Sequence, residues 1–84
     1  MMSKQINVHA IIKKGELIYS KRLKAKLEKK YFGKIVAIDP DTGDYFLGDT
    51  ILEAVKKGRK KHPETIFHSI RVGYPAAHGI RGPQ

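Results

Sequence analysis

The chain has 84 residues, no cysteine and a net charge of +9, from 17 lysines and arginines against 8 aspartates and glutamates. That length allows one small domain with little room for a deep substrate pocket, and the lack of cysteine excludes disulfides, thiolate nucleophiles and cysteine-based metal centres. A balance of 40% hydrophobic and 30% charged residues reads as globular, no apolar run approaches the ~20 residues of a membrane span, and the first residues lack the apolar stretch of a signal peptide, so the expectation is a cytoplasmic protein with no membrane partner.

Ile6 to Lys14 is apolar with some β-branched character and reads as helical, with Gly15 as its weak point. Glu16 to Tyr31 reads as a helix. Tyr19, Leu23, Leu27 and Tyr31 recur every four residues and fall on one stripe. Glu16 near its start and Lys29-Lys30 near its end suit the helix dipole, and Gly33 supplies a C-terminal stop. Lys34 to Ile38 is a strand, apolar on both faces and therefore central in a sheet. Asp39 to Asp44 is a turn. Pro40 presets φ, the aspartates bond backbone amides and Gly43 supplies a positive φ. Tyr45 to Gly48 is the returning strand of the hairpin.

Thr50-Ile51-Leu52-Glu53 has the pattern of a capping box. It opens a helix to about Lys61 whose buried face is Ile51, Ala54, Val55, Gly58 and His62. Gly58 costs about 1 kcal/mol inside a helix, and close packing on a sheet is the expected return. Pro63 ends it. Thr65 to Val72 is a third strand, with Ile66, His68, Ile70 and Val72 on one side and Phe67, Ser69 and Arg71 on the other. Prolines and glycines after Gly73 read as loop or tail, residues 75–84.

The fold class is therefore α+β: an N-terminal helix followed by a ββαβ unit. The hairpin makes the first two strands antiparallel. A right-handed crossover makes the third parallel to the second, and it then lies beside the first. The sheet order is 2-1-3, packed with two helices. Whether these cover one face or both stays open. The chain reads as a single domain over 1–84, with its core at about 16–74.

Gly33-Lys34-Ile35-Val36-Ala37-Ile38-Asp39, Thr42-Gly43-Asp44-Tyr45 and Arg71-Val72-Gly73-Tyr74 occur in order along the chain. Together they resemble a family of short prokaryotic domains of unknown function. Its pattern is a Gly-Lys-x-Val-Ala-Ile-Asp strand, a Gly-Asp turn, a helix with a central alanine, then proline and a closing Arg-Val-Gly. The resemblance covers roughly residues 16 to 75. It implies a ββαβ core and carries no activity, cofactor or catalytic residue.

The charge is segregated. Residues 1–34 carry a net +8, residues 35–53 a net −5 and residues 54–84 a net +6. Basic surfaces attract polyanions through counterion release, and they also keep small domains soluble.

Other chemistry finds little support. The aspartates at 39, 41 and 44 do not match a calcium loop, since the sixth position is Asp44 and the twelfth Thr50. They would lie exposed on the turn, without burial to raise a pKa. His9, His62, His68 and His78 include no helical zinc spacing, although His62 and His68 flank the same helix end. His68 reads as a satisfied core histidine, and an enzymatic pocket would be expected to involve His68 or Arg71. Ser3, Ser20 and Ser69 lack a nucleophile-elbow context. Tyr45, Phe46 and Phe67 offer an aromatic platform or core packing. Arg71, Tyr74 and Lys34 offer a polar patch or pairing with the acidic turn.

The first functional expectation is a non-catalytic binding module without a cofactor or metal. It would contact a protein partner, or itself, through a sheet edge or helix face, the third strand offering a long edge. The alternative is nucleic-acid binding through phosphate contacts from Lys21, Arg22, Lys24, Lys56, Lys57, Arg59, Lys60 and Lys61.

Overall fold

The computed structural model describes residues 7–74. The expectations for residues 1–6 and for the tail at 75–84 lie outside it. Its elements in chain order are α1 (Val8–Ile18), a π-helical turn (Tyr19–Leu23), α2 (Lys24–Lys30), β1 (Ile35–Ile38), β2 (Tyr45–Gly48), α3 (Ile51–Lys61) and β3 (His68–Arg71).

The first three elements form one continuous helix, because the residues at both junctions keep helical dihedrals. Asn7 caps its start, its side chain accepting from the Ala10 amide at 3.1 Å. Gly15 does not weaken it. It is buried, and an added Cβ would lie 2.6 Å from the His68 Cβ. The missing side chain lets the helix pack directly against His68 of the sheet, which propensity does not reveal.

The π turn has a packing reason. In an α-helix, residues four apart advance about 40° beyond a full turn, so a strict period of four drifts off its face. A wider turn counters that drift. Tyr19, Leu23 and Leu27 accordingly stay on one buried line. Tyr31 follows the helix and is exposed, so the stripe is one member shorter than the spacing predicts.

The sheet order is β2-β1-β3, with both pairings antiparallel. Val36 sits between Leu47 and Ile70, and Ile38 between Tyr45 and His68. All four residues of β1 are buried, as its continuous apolarity requires. One face packs Val36, Ile38, Ile70 and Val72 against Tyr19, Leu23 and Leu27. The other packs Ile35, Ala37 and Phe67 against Ala54 and Val55. The helices therefore split between the faces, a choice the sequence leaves open.

The 39–44 turn forms as its residues dictate. Asp39 Oδ1 accepts from the amides of Asp41, at 2.8 Å, and Thr42. Gly43 has φ +84°. Asp39 itself is 2% exposed, correcting the expectation of a solvated carboxylate. Its neighbouring amides replace the water it gives up.

Thr50 Oγ1 accepts from the Glu53 amide at 3.1 Å, capping α3. Glu53 reaches back to the Asp49 amide, one residue before the box pattern places it. Ala54 and Gly58 form the buried line of α3. Ile51 is 58% exposed instead of buried. Gly58 has the predicted return, since an added Cβ would meet Phe67 Cζ at 2.6 Å. β3 is four residues rather than eight, and Ile66 lies before it, 45% exposed.

Candidate nucleic-acid interface

The acidic side chains are largely committed to internal contacts. Asp39 holds its turn. Asp44 Oδ2 lies 2.8 Å from His62 Nε2 and 3.4 Å from Lys61 Nζ. Asp49 pairs with Lys34, and Glu53 holds the start of α3. Glu16 Oε2 lies 2.8 Å from His68 Nε2. Glu28 accepts from the Tyr19 hydroxyl at 3.4 Å.

These contacts tune the acids. The hydrogen bond from His62, with Lys61 beside it, holds Asp44 below the ordinary carboxylate value. The Lys34 ammonium does the same for Asp49 and is itself raised by the hydrogen bond between them. Burial raises the Tyr19 phenol, offset in part by the Gly73 amide that donates to it and reinforced by Glu28.

The cations are distributed differently. Among the described residues, the ion pairs to carboxylates use only Lys34 and Lys61 of the lysines and arginines. All eight sequence-selected residues are exposed: Lys21, Arg22, Lys24, Lys56, Lys57, Arg59, Lys60 and Lys61. They do not form one surface. Lys21, Arg22 and Lys24 lie on the long helix, on one side of the sheet, and the other five lie on α3, on the opposite side.

Several reach the β2 edge. The Arg22 guanidinium lies against Gly43. Lys26 stands over the Tyr45 ring at 5.5 Å, and Lys57 Nζ donates to the Leu47 carbonyl at 2.7 Å. Lysines on an edge discourage pairing with another strand. Lys56, Arg59 and Lys60 are free of such contacts and share one exposed helix face.

On the long-helix side an open cleft of about 390 Å³ lies between the π turn and the end of β3. Glu16, Tyr19, Ser20, Lys24, Glu28, Ile70, Gly73 and Tyr74 line it. Neither His68 nor Arg71 belongs to its lining, although Glu16 there contacts His68.

Of the two roles the sequence leaves open for Tyr45, Phe46 and Phe67, the structure shows core packing. Phe46 and Phe67 pack edge-to-face at 5.9 Å beneath Gly58, and Tyr45 packs on the long-helix face. They are core rather than platform. An exposed aromatic pair forms elsewhere, from Phe32 and Tyr74, with ring centroids 5.5 Å apart. The Arg71 guanidinium stands 5.7 Å over Tyr74 and donates to the Gly33 carbonyl at 3.0 Å. Lys34 belongs to the Asp49 pair rather than to this patch or to the acidic turn. Phe32 escaped notice because its position just after the helix reads as a connector.

His62 and His68 do not converge, since each pairs with a different carboxylate on opposite sides of the sheet. No group of three or more metal-ligating side chains is present among the described residues. No described helix is long and apolar enough to cross a membrane. No protein family, curated protein or solved structure gives a match to the chain.

Proposed function

We propose that the chain is a non-catalytic, cytoplasmic nucleic-acid-binding module that contacts phosphates through the exposed cations of the long helix. One observation carries this reading: most carboxylates are engaged by partners within the chain, while most helix cations face solvent without an ion pair. The exposed helix cations that lack an ion pair are therefore open to a polyanion. Lys21 and Lys24 would supply phosphate contacts, with Lys29 and Lys30 extending them toward the helix end. Lys56, Arg59 and Lys60 form a second, separate cationic face.

The experiment is a binding titration with mixed-sequence DNA and RNA at about 50 and 200 mM salt. Affinity that drops steeply with salt supports the reading. A K21E/K24E variant should weaken binding and flatten the salt dependence, by roughly one unit of slope per lost phosphate contact.

A second reading keeps a protein partner, or a second copy of the chain, pairing with the β3 edge. It is favoured by the position of β3 at the outside of the sheet, while Lys57 occupies the Leu47 carbonyl on β2. The shortness of β3 weighs against it. Edge pairing should respond little to salt.

A further inference from the structure

We propose that Phe32, Tyr74 and Arg71 form a stacking platform for unpaired bases, so that the ligand of this protein is single-stranded rather than duplex nucleic acid. The inference rests on the nucleic-acid reading above and specifies its ligand.

The two rings are among the most exposed large apolar side chains described, Phe32 at 62% and Tyr74 at 51%. Exposure alone would mean little, but this pair is held in place. Gly33 and Gly73 adopt φ of +87° and +89°. The Gly33 amide donates to the Val72 carbonyl, and the Val72 amide to the Lys34 carbonyl, both at 2.8 Å. The Gly73 amide donates to the Tyr19 hydroxyl, tying the segment to the core. Gly73 also leaves the space that Phe32 fills, since an added Cβ would lie 2.4 Å from its ring. Arg71 bridges the two segments, touching the Gly33 carbonyl and the Tyr74 ring.

The result is two aromatic rings and a guanidinium plane presented together to solvent, with little ordering cost left at binding. A purely apolar partner would use the rings but not the positive charge of that guanidinium. A base offers a π-face to the rings and the guanidinium, and its phosphate offers the negative charge. Lys29 and Lys30 end the helix just before Phe32. Lys24 shares the cleft wall with Tyr74, where Glu16 and Glu28 also stand. The cations closest to the platform along the chain are therefore Lys29 and Lys30. Bases in a duplex keep their faces stacked inside, so only unpaired bases reach these rings.

The test compares a labelled single strand of about 12 nucleotides, as DNA and as RNA, with the duplex of the same sequence. The proteins are wild type, F32L, Y74L and the ring-preserving variants F32Y and Y74F. Thermal melting establishes that each is folded. The expected result is single-strand affinity reduced roughly 5- to 100-fold in F32L and Y74L, with the salt dependence unchanged. F32Y and Y74F should bind like wild type, and duplex affinity should be weak and the same in all five. If single-strand affinity changes less than twofold in F32L and Y74L, the platform is wrong while the helix reading stands. Equal loss on duplex and single strand also overturns it. No binding of either nucleic acid by wild type overturns the platform and the underlying reading together.

Discussion

Gly15 shows how a single residue changes meaning between sequence and structure. Propensity alone says that Gly15→Ala should stabilise the helix by about 1 kcal/mol. The structure places the His68 Cβ, close to the backbone, where the new methyl group would go. Overpacking of that kind costs about 1–3 kcal/mol, so the variant should be less stable than wild type in urea unfolding. The glycine and the strand were both legible in the sequence, but not that His68, 53 positions later, packs against Gly15. Asp44 and Asp49 make a second residue-level prediction. Both are held below the ordinary value of 3.8, by His62 with Lys61 and by Lys34. Their ionised forms favour the folded state, so this stabilisation is complete above 3.8 and is lost as pH falls through the depressed folded values. A D44N/D49N variant should therefore unfold at lower urea than wild type near neutral pH. The gap should close as pH falls below 3.8, measured by urea midpoints across that range.

At the level of elements, the legible parts were those dictated by local chemistry. Thr50 caps α3 because its hydroxyl accepts from the Glu53 amide. T50A should cost about 1 kcal/mol in urea unfolding. The 39–44 turn and the hairpin follow from Pro40, Gly43 and the aspartates in the same way. The β3 position beside β1 followed from the crossover rule and needed no side-chain detail. The continuity of α1, the π turn and α2 was less legible. A period of four fits an α-helix only approximately, and the wider turn that accommodates it packs its residues against Val36 of β1 and Ile70 of β3. Leu27 lies at the centre of that packing with no exposure. L27A should cost about 2–5 kcal/mol. The long third strand was overestimated because alternation continues through Ile66 although its sheet neighbour β1 stops at Ile38.

On the scale of the whole molecule, the basic–acidic–basic order of the chain becomes a division between carboxylates engaged within the fold and helix cations that mostly lack an ion pair. The acidic stretch supplies the hairpin turn and the start of α3, where its carboxylates hold backbone amides and nearby cations. The two basic stretches become helix faces on opposite sides of the sheet. Sequence alone identified the cations but grouped both helices as one site, since nothing local says which face of a sheet a helix will cover. The platform residues Arg71 and Tyr74 were visible as a patch, whereas Phe32 joins them only through the fold. Because the two cationic faces are separate, K21E/K24E should weaken nucleic-acid binding more than K56E/K60E, read from titrations of both variants at one salt concentration.

The measurement that bears most directly on this account is the affinity of the wild-type protein for nucleic acid at about 50 and 200 mM salt. The account predicts binding at the lower salt that falls steeply at the higher. Absence of binding at the lower salt, or affinity indifferent to salt, would contradict it and leave the outward-facing lysines as a solubilising surface.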